Sequence, residues 1–346
     1  MAKAVALLSG GLDSTLAVRL ILEQGIEVHA LNFTSAFCTC NSGGKHGHAV
    51  AAGGVSSGGC RSEAKRVAEE FNIPIKVVAK GLDYIEIVRN PRHGYGKGIN
   101  PCVDCRIYMF MLAKKYMREI GASFIVTGEV LGQRPMSQRM DAMRVIEREA
   151  GLTGLILRPL SAKHFLPTIP EVQGVVDREK LLSFSGRGRK DQIGLAKELD
   201  VNDYPCPSGG CLLTDKIFSK KVRDLFEYKK DLTKKDLELL KAGRHFRFNG
   251  AKVVVGRDES DNVRIRNLKG PEDLLIEPVG FPGPVALISG EFDALVRDFA
   301  AGLVVRYSND KAVEPYTLME SRNGDSTAFE LSRILSEDVI EGARVC

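Results

Sequence analysis

Short apolar runs alternate with helix-length stretches through the first half of the chain. Val5-Ala6-Leu7-Leu8 reads as a buried strand, and residues 15–23 as the helix that follows it. Residues 28–33 read as a second strand, 61–71 as a second helix and 75–79 as a third strand; 105–120 is helical, and 124–128 and 155–158 supply a fourth and a fifth strand. β-Branched strands separated by helices predict an α/β fold, a doubly wound parallel five-stranded sheet covered on both faces. Ligands of such sheets bind outside the carboxyl ends of the strands, where the strand order reverses. Gly10-Gly11 follows the first strand and Gly128-Glu129 the fourth, so both loops are expected over one cleft.

The second half reads differently. A helical pattern over 177–199, interrupted at Ser185-Gly186-Arg187-Gly188, leads into the turn-rich Tyr204-Pro205-Cys206-Pro207-Ser208-Gly209-Gly210-Cys211. Lys252-Val253-Val254-Val255-Gly256 and Val263-Arg264-Ile265-Arg266 look like a β pair. Residues 274–308 read as strand, strand, helix and strand, and the sequence from Asn323 onward as a terminal helix. The expected domains are 1–170 (nucleotide binding), 171–215 (a helical extension carrying distal cysteines) and 216–346 (a smaller basic α+β domain).

Composition narrows the class. A chain that is 44% hydrophobic and 27% charged is ordinary for a globular protein. No apolar run reaches membrane-spanning length, and the run from Ala4 to Leu8 meets Ser-Gly-Gly with no cleavage-site pattern. The expectation is a cytoplasmic protein, in which the eight cysteines are catalytic or metal-bound rather than paired in disulfides. The net charge of +5 decides little, but 216–247 holds eleven Lys or Arg against five Asp or Glu. That excess suits a phosphate-binding surface or, equally, a solvated helix face. The Gly/Ser/Ala-rich stretch over 34–59 carries Cys38, Cys40, His46 and His48, with Cys60 at its end. It predicts a mobile loop or lid, with a spacing that fits no zinc pattern well.

Ser9-Gly10-Gly11-Leu12-Asp13-Ser14 lies between the first strand and its helix. Glycines let backbone approach a polyphosphate, free N–H groups at a helix start face the anion, Ser9 and Ser14 can donate hydroxyls, and Asp13 can hold Mg²⁺ or orient the loop. A tight strand–helix turn explains a Gly-Gly pair alone just as well. There is no Gly-Lys-Ser/Thr, so this is not the P-loop that favours cutting at the γ-phosphate. The full hexapeptide resembles the SGGxDS loop of the PP-loop ATPases, which cleave ATP between the α and β phosphates and leave an adenylate. The resemblance implies ATP bound through Ser9, Gly10, Gly11, Asp13, Ser14, Thr15, Asn32 and Gly128.

Asn100-Pro101-Cys102-Val103-Asp104-Cys105 precedes a helix expected near Arg106. Such a CxxC is a redox or nucleophilic thiol with depressed pKa, half of a metal site, or two incidental cysteines. A third thiol must come from Cys206 or Cys211; three thiolates would hold a [4Fe-4S] cluster with one iron open to sulfide. The order Asn-Pro-Cys-x-x-Cys, Thr127-Gly128-Glu129 with Gly132-Gln133, then Gly209-Gly210-Cys211 resembles the tRNA 2-thiouridylases of the MnmA type over roughly the first 215 residues. That resemblance implies Asp13, Cys105 and Cys211 as catalytic residues. Cys102, where many members carry Asp, makes the chain look like the iron–sulfur branch of TtuA- and ThiI-like thiolases. In that branch Cys102, Cys105 and Cys211, or Cys206 in its place, ligate the cluster. The other route is a persulfide relay from a cysteine desulfurase.

The resemblance stops in the last third. Gly243-Arg244-His245-Phe246-Arg247, followed by 252–257, looks like the small RNA-binding domain of NFACT-type proteins, which implies tRNA as partner. With the loop starting at Ser9, neither a THUMP domain nor an N-terminal zinc finger is expected before it. The expected reaction adenylates a uridine carbonyl and displaces AMP with sulfur. Lys163, Arg187, Arg189 and Lys190 are candidate cleft cations; Arg134, Arg139 and Arg144 contact RNA or solvate a helix. Two other classes stay open: an adenylating sulfur insertase or amide former acting on a small molecule, and a non-catalytic RNA-binding protein with structural zinc.

Overall fold

The computed structural model describes residues 2–38, 60–204, 211–309, 314–332 and 335–346, with backbone alone at 60–62. Contacts divide the chain into two compact units, Met1–Thr214 and Asp215–Cys346. No helix among the described residues is long and apolar enough to cross a membrane.

The first unit is built on strands β1 (Lys3–Leu7), β2 (Glu27–Thr34), β3 (Ile75–Ala79), β4 (Phe124–Thr127) and β5 (Ile156–Leu157). All pairings are parallel, in the order β3-β2-β1-β4-β5. Alternate residues bury on opposite faces. Ala4, Ala6, Val28, Ala30 and Val126 meet Ala17, Val18 and Ile21 of helix Leu12–Leu22 and Val67 of helix Cys60–Glu70. Val5, Leu7, Leu31 and Ile125 meet Phe110, Ala113 and Met117 of helix Cys102–Glu119 and Ile146 of helix Met140–Ala150. Two buried faces explain why the strands read as continuous apolar runs rather than alternating ones. The strand order reverses between β1 and β4, whose ends are in register at Leu7 and Thr127.

Sequence reasoning overlooked helices Leu82–Arg89 and Met140–Ala150 and expected too much helix over 177–199. Only a single turn at Arg178–Lys180 and helix Lys190–Glu198 form there. Between them the chain is held extended by tertiary hydrogen bonds. Leu182 N–H donates to the Pro159 carbonyl at 2.9 Å, Phe184 N–H to Leu160 at 2.7 Å and Gly186 N–H to Leu131 at 2.7 Å. Residues 171–214 belong to the first unit, where Ala196 and Val201 pack with Leu12, Leu16, Val130 and Leu160.

The second unit carries strands β6 (Arg244–Phe248), β7 (Ala251–Val255), β8 (Leu274–Pro278), β9 (Ala286–Ser289), β10 (Tyr316–Arg322) and β11 (Asp325–Leu331). They form one antiparallel sheet in the order β11-β10-β8-β9-β7-β6. Val253, Val255, Ile276 and Ile288 pack under helix Ala294–Arg306. Val254, Leu275 and Leu287 face the other way, against Ile265 of helix Glu259–Leu268.

Three sequence expectations fail in this unit. Val263-Arg264-Ile265-Arg266 is not a strand: Asp258 caps a helix there by accepting from Asp261 N–H at 2.9 Å, and β7 pairs with β6 and β9 instead. Leu303-Val304-Val305 ends a helix rather than forming a strand, because a short, fully buried apolar run has no periodicity to separate the two. From Asn323 the chain runs into β11, and among the described residues that follow only Glu337–Ala343 is helical. Asn323 and Gly324 both have positive φ, 53° and 94°, and join β10 to β11 in a two-residue hairpin turn.

His245 on β6 is fully buried, with Nε2 donating to the carbonyls of Ala242 at 2.8 Å and Leu239 at 3.1 Å. Burial, and then Lys252 and Lys221, hold its pKa well below the ordinary 6.5. A depressed imidazole leaves the folded state neutral while the unfolded chain takes up a proton. Its contribution is therefore complete above 6.5 and declines as pH falls below that value. The second unit should lose thermal stability between pH 6.5 and about 5.5, with a shallower slope in His245→Gln; a melting temperature of the wild type that is flat across this window contradicts the assignment.

Candidate active site

Residues 9–14 turn from β1 into helix Leu12–Leu22, directly beside the loop that follows β4. Gly10 has φ +78°, and a Cβ there would lie 2.6 Å from the Ala64 nitrogen. A Cβ on Gly128 would lie 2.5 Å from the Asp13 carbonyl and the Ser14 nitrogen. At Gly128 backbone thus meets backbone where the strand order reverses, and a side chain there would force the two loops apart; one at Gly10 would push its loop off helix Cys60–Glu70. Ser14 Oγ donates to the Gly11 carbonyl at 2.8 Å and lies 3.0 Å from Ser9 Oγ. The helix's first N–H groups, which have no intrahelical partner, open at this point.

A cleft of about 600 Å³ lies over these loops, a size suited to a nucleotide. Ser9, Gly11, Asp13, Ser14, Asn32 and Gly128 line it; Gly10 and Thr15 do not. Gly10 packs against the Glu63–Ala64 backbone, and Thr15 is buried with its hydroxyl donating to Gly11 O at 3.2 Å. Asp13 Oδ2 accepts from Gln133 Nε2 at 3.0 Å and faces Arg189 Nη2 at 3.7 Å, while Oδ1 is buried without a hydrogen-bond partner. Asn32 donates through Nδ2 to Leu8 O at 2.8 Å, which leaves its Oδ1 as another buried acceptor without a partner. Leu31 and Phe33 supply an apolar wall.

Arg106, Arg134, Arg187 and Arg189 bring four guanidinium groups to the cleft. Burial, and then Arg106, pull the Arg134 pKa below its usual range. Of the other expected cations, Lys163 pairs with Glu179, Lys190 starts a helix outside the cleft, and Arg139 pairs with Asp141. Arg106 was not anticipated. It is held by Glu129, a buried carboxylate that pairs with Arg106 Nε at 3.3 Å and accepts from Arg158 Nε at 3.2 Å. Thr127-Gly128-Glu129 was legible as a motif, but Glu129's partners lie on other elements.

Helix Cys102–Glu119 carries Arg106 and Met109 on the cleft wall and the two cysteines at its start. Asp104 turns inward and accepts from Arg92 N–H at 3.2 Å, His93 N–H at 3.1 Å and His93 Nδ1 at 3.1 Å. Asp104, with Glu149 beyond, raises the His93 pKa. Asn100 Nδ2 donates to Cys102 Sγ at 3.0 Å, and Lys80 Nζ to Cys105 Sγ at 3.3 Å. Lys80 also sits 4.0 Å over the ring of Tyr84, a buried residue whose hydroxyl is pushed far up by burial and then by Cys105, Cys211 and Cys38. The topology therefore brings Cys38, Cys105 and Cys211 around one tyrosine, with Cys102 a turn away.

Burial raises the Cys102 thiol and pushes Cys211 up to about 12, the opposite of the depressed pKa expected of a nucleophilic thiol at Cys102. Three soft thiolate donors suit iron–sulfur chemistry. Among the described residues no three His, Cys, Asp or Glu side chains are grouped closely enough to hold a single metal ion. Cys40, His46, His48, Cys206, Gly209 and Gly210 lie outside the described residues, and Cys60 is described by its backbone alone.

In the second unit the fold takes up much of the basic stretch. Arg247 and Lys252 pair with Asp224, Lys229 with Asp236, and Lys235 with Asp273. Lys221 is buried, donates to Gly243 O at 2.9 Å and has its pKa lowered to about 8 by burial. Lys216, Lys220, Arg223, Lys230 and Lys234 remain exposed.

Residues 1–164 match the family "Thiamine biosynthesis protein (ThiI)". That stretch lies within the first unit. Residues 243–341, within the second unit, match the "NFACT protein RNA binding domain". The chain is 25% identical to a tRNA sulfurtransferase of Desulfurococcus amylolyticus, over 65% of this chain and 39% of that protein. It is 32% identical to the tRNA-specific 2-thiouridylase MnmA of Clostridium acetobutylicum over 36% of this chain and 35% of that one. It is 29% identical to a probable tRNA sulfurtransferase of Methanothermobacter thermautotrophicus over 46% and 36%. The chain thus spans well under half the length of these curated relatives. A crystal structure of a 4-thiouridine synthetase–RNA complex with bound ATP aligns over 69% of this chain and 52% of that one, at 20% identity and a TM-score of 0.38.

Gly128→Ala should destabilise the first unit by about 1–3 kcal/mol in chemical denaturation, since backbone must give way. Gly194→Ala, in helix Lys190–Glu198 with open space around its Cβ, should stabilise it by about 0.5–1 kcal/mol. Equal effects from both would deny the close approach of the two loops.

Proposed function

We propose that this chain is an ATP-dependent tRNA sulfurtransferase that adenylates a uridine carbonyl oxygen and replaces it with sulfur. One observation carries the reading. The helix that opens with Cys102 and Cys105 turns Arg106 and Met109 into the cleft over the phosphate loop, so the nucleotide and sulfur sites are a helical turn apart.

ATP phosphates lie against the start of helix Leu12–Leu22, beside Ser9 and Ser14, with Arg106, Arg134, Arg187 and Arg189 neutralising their charge. Asp13 Oδ1, a buried carboxylate oxygen lacking a hydrogen bond, fits a phosphate-bound Mg²⁺. Asn32 Oδ1 is the matching acceptor for an amino group of a base against Phe33. The uridine oxygen attacks the α-phosphorus, pyrophosphate leaves, and AMP becomes the leaving group at the activated carbon. Sulfur arrives through the cysteines by one of two routes.

Cys102, Cys105 and Cys211, or Cys206 in its place, would hold a [4Fe-4S] cluster, which supplies an open iron for sulfide. In the other route Cys105 and Cys211 carry a persulfide passed on from a cysteine desulfurase. Lys80, 3.3 Å from Cys105 Sγ, gives a sulfur anion its counter-charge in either case. The likeness to the NFACT RNA-binding domain and the exposed lysines that precede the matched residues support tRNA as the polyanionic substrate, through sequence-independent phosphate contacts.

Asp13→Ala should lower tRNA-stimulated release of AMP and pyrophosphate about a hundredfold or more. Cys105→Ser and Cys211→Ser should keep that release and lose the thionucleoside in mass spectra of the tRNA. Pyrophosphate release stimulated by a small acid or a free nucleoside, and not by tRNA, would rule out the substrate. Iron and sulfide analysis of anaerobically purified protein separates the two sulfur routes: a brown protein that pales in each cysteine variant supports the cluster, and a colourless, fully active one the persulfide.

A further inference from the structure

Cys38 stands just before the Gly/Ser-rich stretch, and the reaction as described assigns it no part. The structure pairs it with Cys211. The two are directly opposed in an antiparallel β-bridge, closed by the Leu212 N–H donating to the Phe37 carbonyl at 3.1 Å. Cys211 Sγ donates to that same carbonyl at 3.6 Å. Phe37 is fully buried, with its ring 6.3 Å from that of Tyr84, and its N–H donates to Ser35 Oγ at 3.2 Å. The segment that carries Cys38 is therefore anchored rather than merely adjacent.

Residues directly opposed in an antiparallel pair lie about 4.5–5.5 Å apart at Cα, with side chains on the same face. That separation falls inside the roughly 4.4–6.8 Å that a disulfide spans. The helix cysteines are engaged elsewhere, Cys102 with Asn100 and Cys105 with Lys80 and Met109. Backbone pairing thus gives Cys211 a thiol neighbour that is not part of the CxxC.

We propose that Cys38 is the thiol that resolves sulfur carried on Cys211. The inference rests on the persulfide route of the function proposed above, with a sulfane-sulfur donor supplying the persulfide. The terminal sulfur of the Cys211 persulfide attacks the adenylated carbon, AMP leaves, and a Cys211–S–S–C linkage forms. Cys38, its proton lost to solvent, attacks Cys211 Sγ. The S–S bond breaks, its electron pair departs with the base as the thiocarbonyl, and a Cys38–Cys211 disulfide remains. Two electrons from a small dithiol restore both thiols for the next turnover.

The test has two arms on the full chain. Reduced protein treated with stoichiometric diamide and mapped by non-reducing peptide mass spectrometry should yield the Cys38–Cys211 cross-link as its main product; a Cys105–Cys211 cross-link in its place overturns the proposal. In single turnovers with polysulfide-loaded protein, ATP and tRNA, Cys38→Ser should form AMP and pyrophosphate as the wild type does. It should release thionucleoside at least tenfold more slowly and accumulate a covalent tRNA–protein adduct, whereas unchanged release refutes the role. If the wild type forms no AMP with tRNA, the thiolation reading is what fails, and the cross-link map still decides whether Cys38 or Cys105 partners Cys211.

Discussion

The approach of two backbone segments at the carboxyl ends of β1 and β4 is the constraint from which the first unit's chemistry follows. Gly10 lies against the Glu63–Ala64 backbone and Gly128 against Asp13 and Ser14, so close that no side chain fits at either place. That approach opens the start of helix Leu12–Leu22 to the cleft, directs Asp13 toward Gln133 and Arg189, and leaves one of its oxygens buried without a hydrogen-bond partner. An orphaned carboxylate oxygen is costly in a folded chain. Its persistence beside four arginines is what an anion–cation ligand would offset.

The sulfur side depends on desolvation. Cys102 and Cys211 are buried enough for their thiols to be pushed up, and Tyr84 beneath them more so. A thiolate there needs a partner, and Lys80 provides one for Cys105. Helix Cys102–Glu119 carries both the cysteines and the cleft-facing Arg106, which the buried Glu129 holds in place.

In the second unit the segment that marks the family is largely structural. Gly243 packs against the Val255 carbonyl, His245 and Phe246 are buried, Arg244 donates to Gly256 O, and Arg247 grips Asp224. Of the cations that remain exposed, Lys216, Lys220 and Arg223 come from helix Lys216–Tyr228, and Lys230 and Lys234 follow it, all before that segment. A motif can thus identify an RNA-binding fold through residues that hold it together.

The sequence by itself determined the first sheet and its glycine loop, because strands buried on both faces must be apolar throughout and a phosphate loop must be glycine at the points of approach. It also named Cys102, Cys105 and Cys211 as a group through their order along the chain. Short apolar runs were another matter: 303–305 and 263–266 became helix, since burial leaves no periodicity and a capping aspartate outweighs β propensity. Only the tertiary structure decided that Cys38 faces Cys211, that Lys80 reaches Cys105 and that Glu129 holds Arg106. Each pair joins residues far apart in the chain, and side-chain distance across a fold is set by how its layers pack, which no local pattern records.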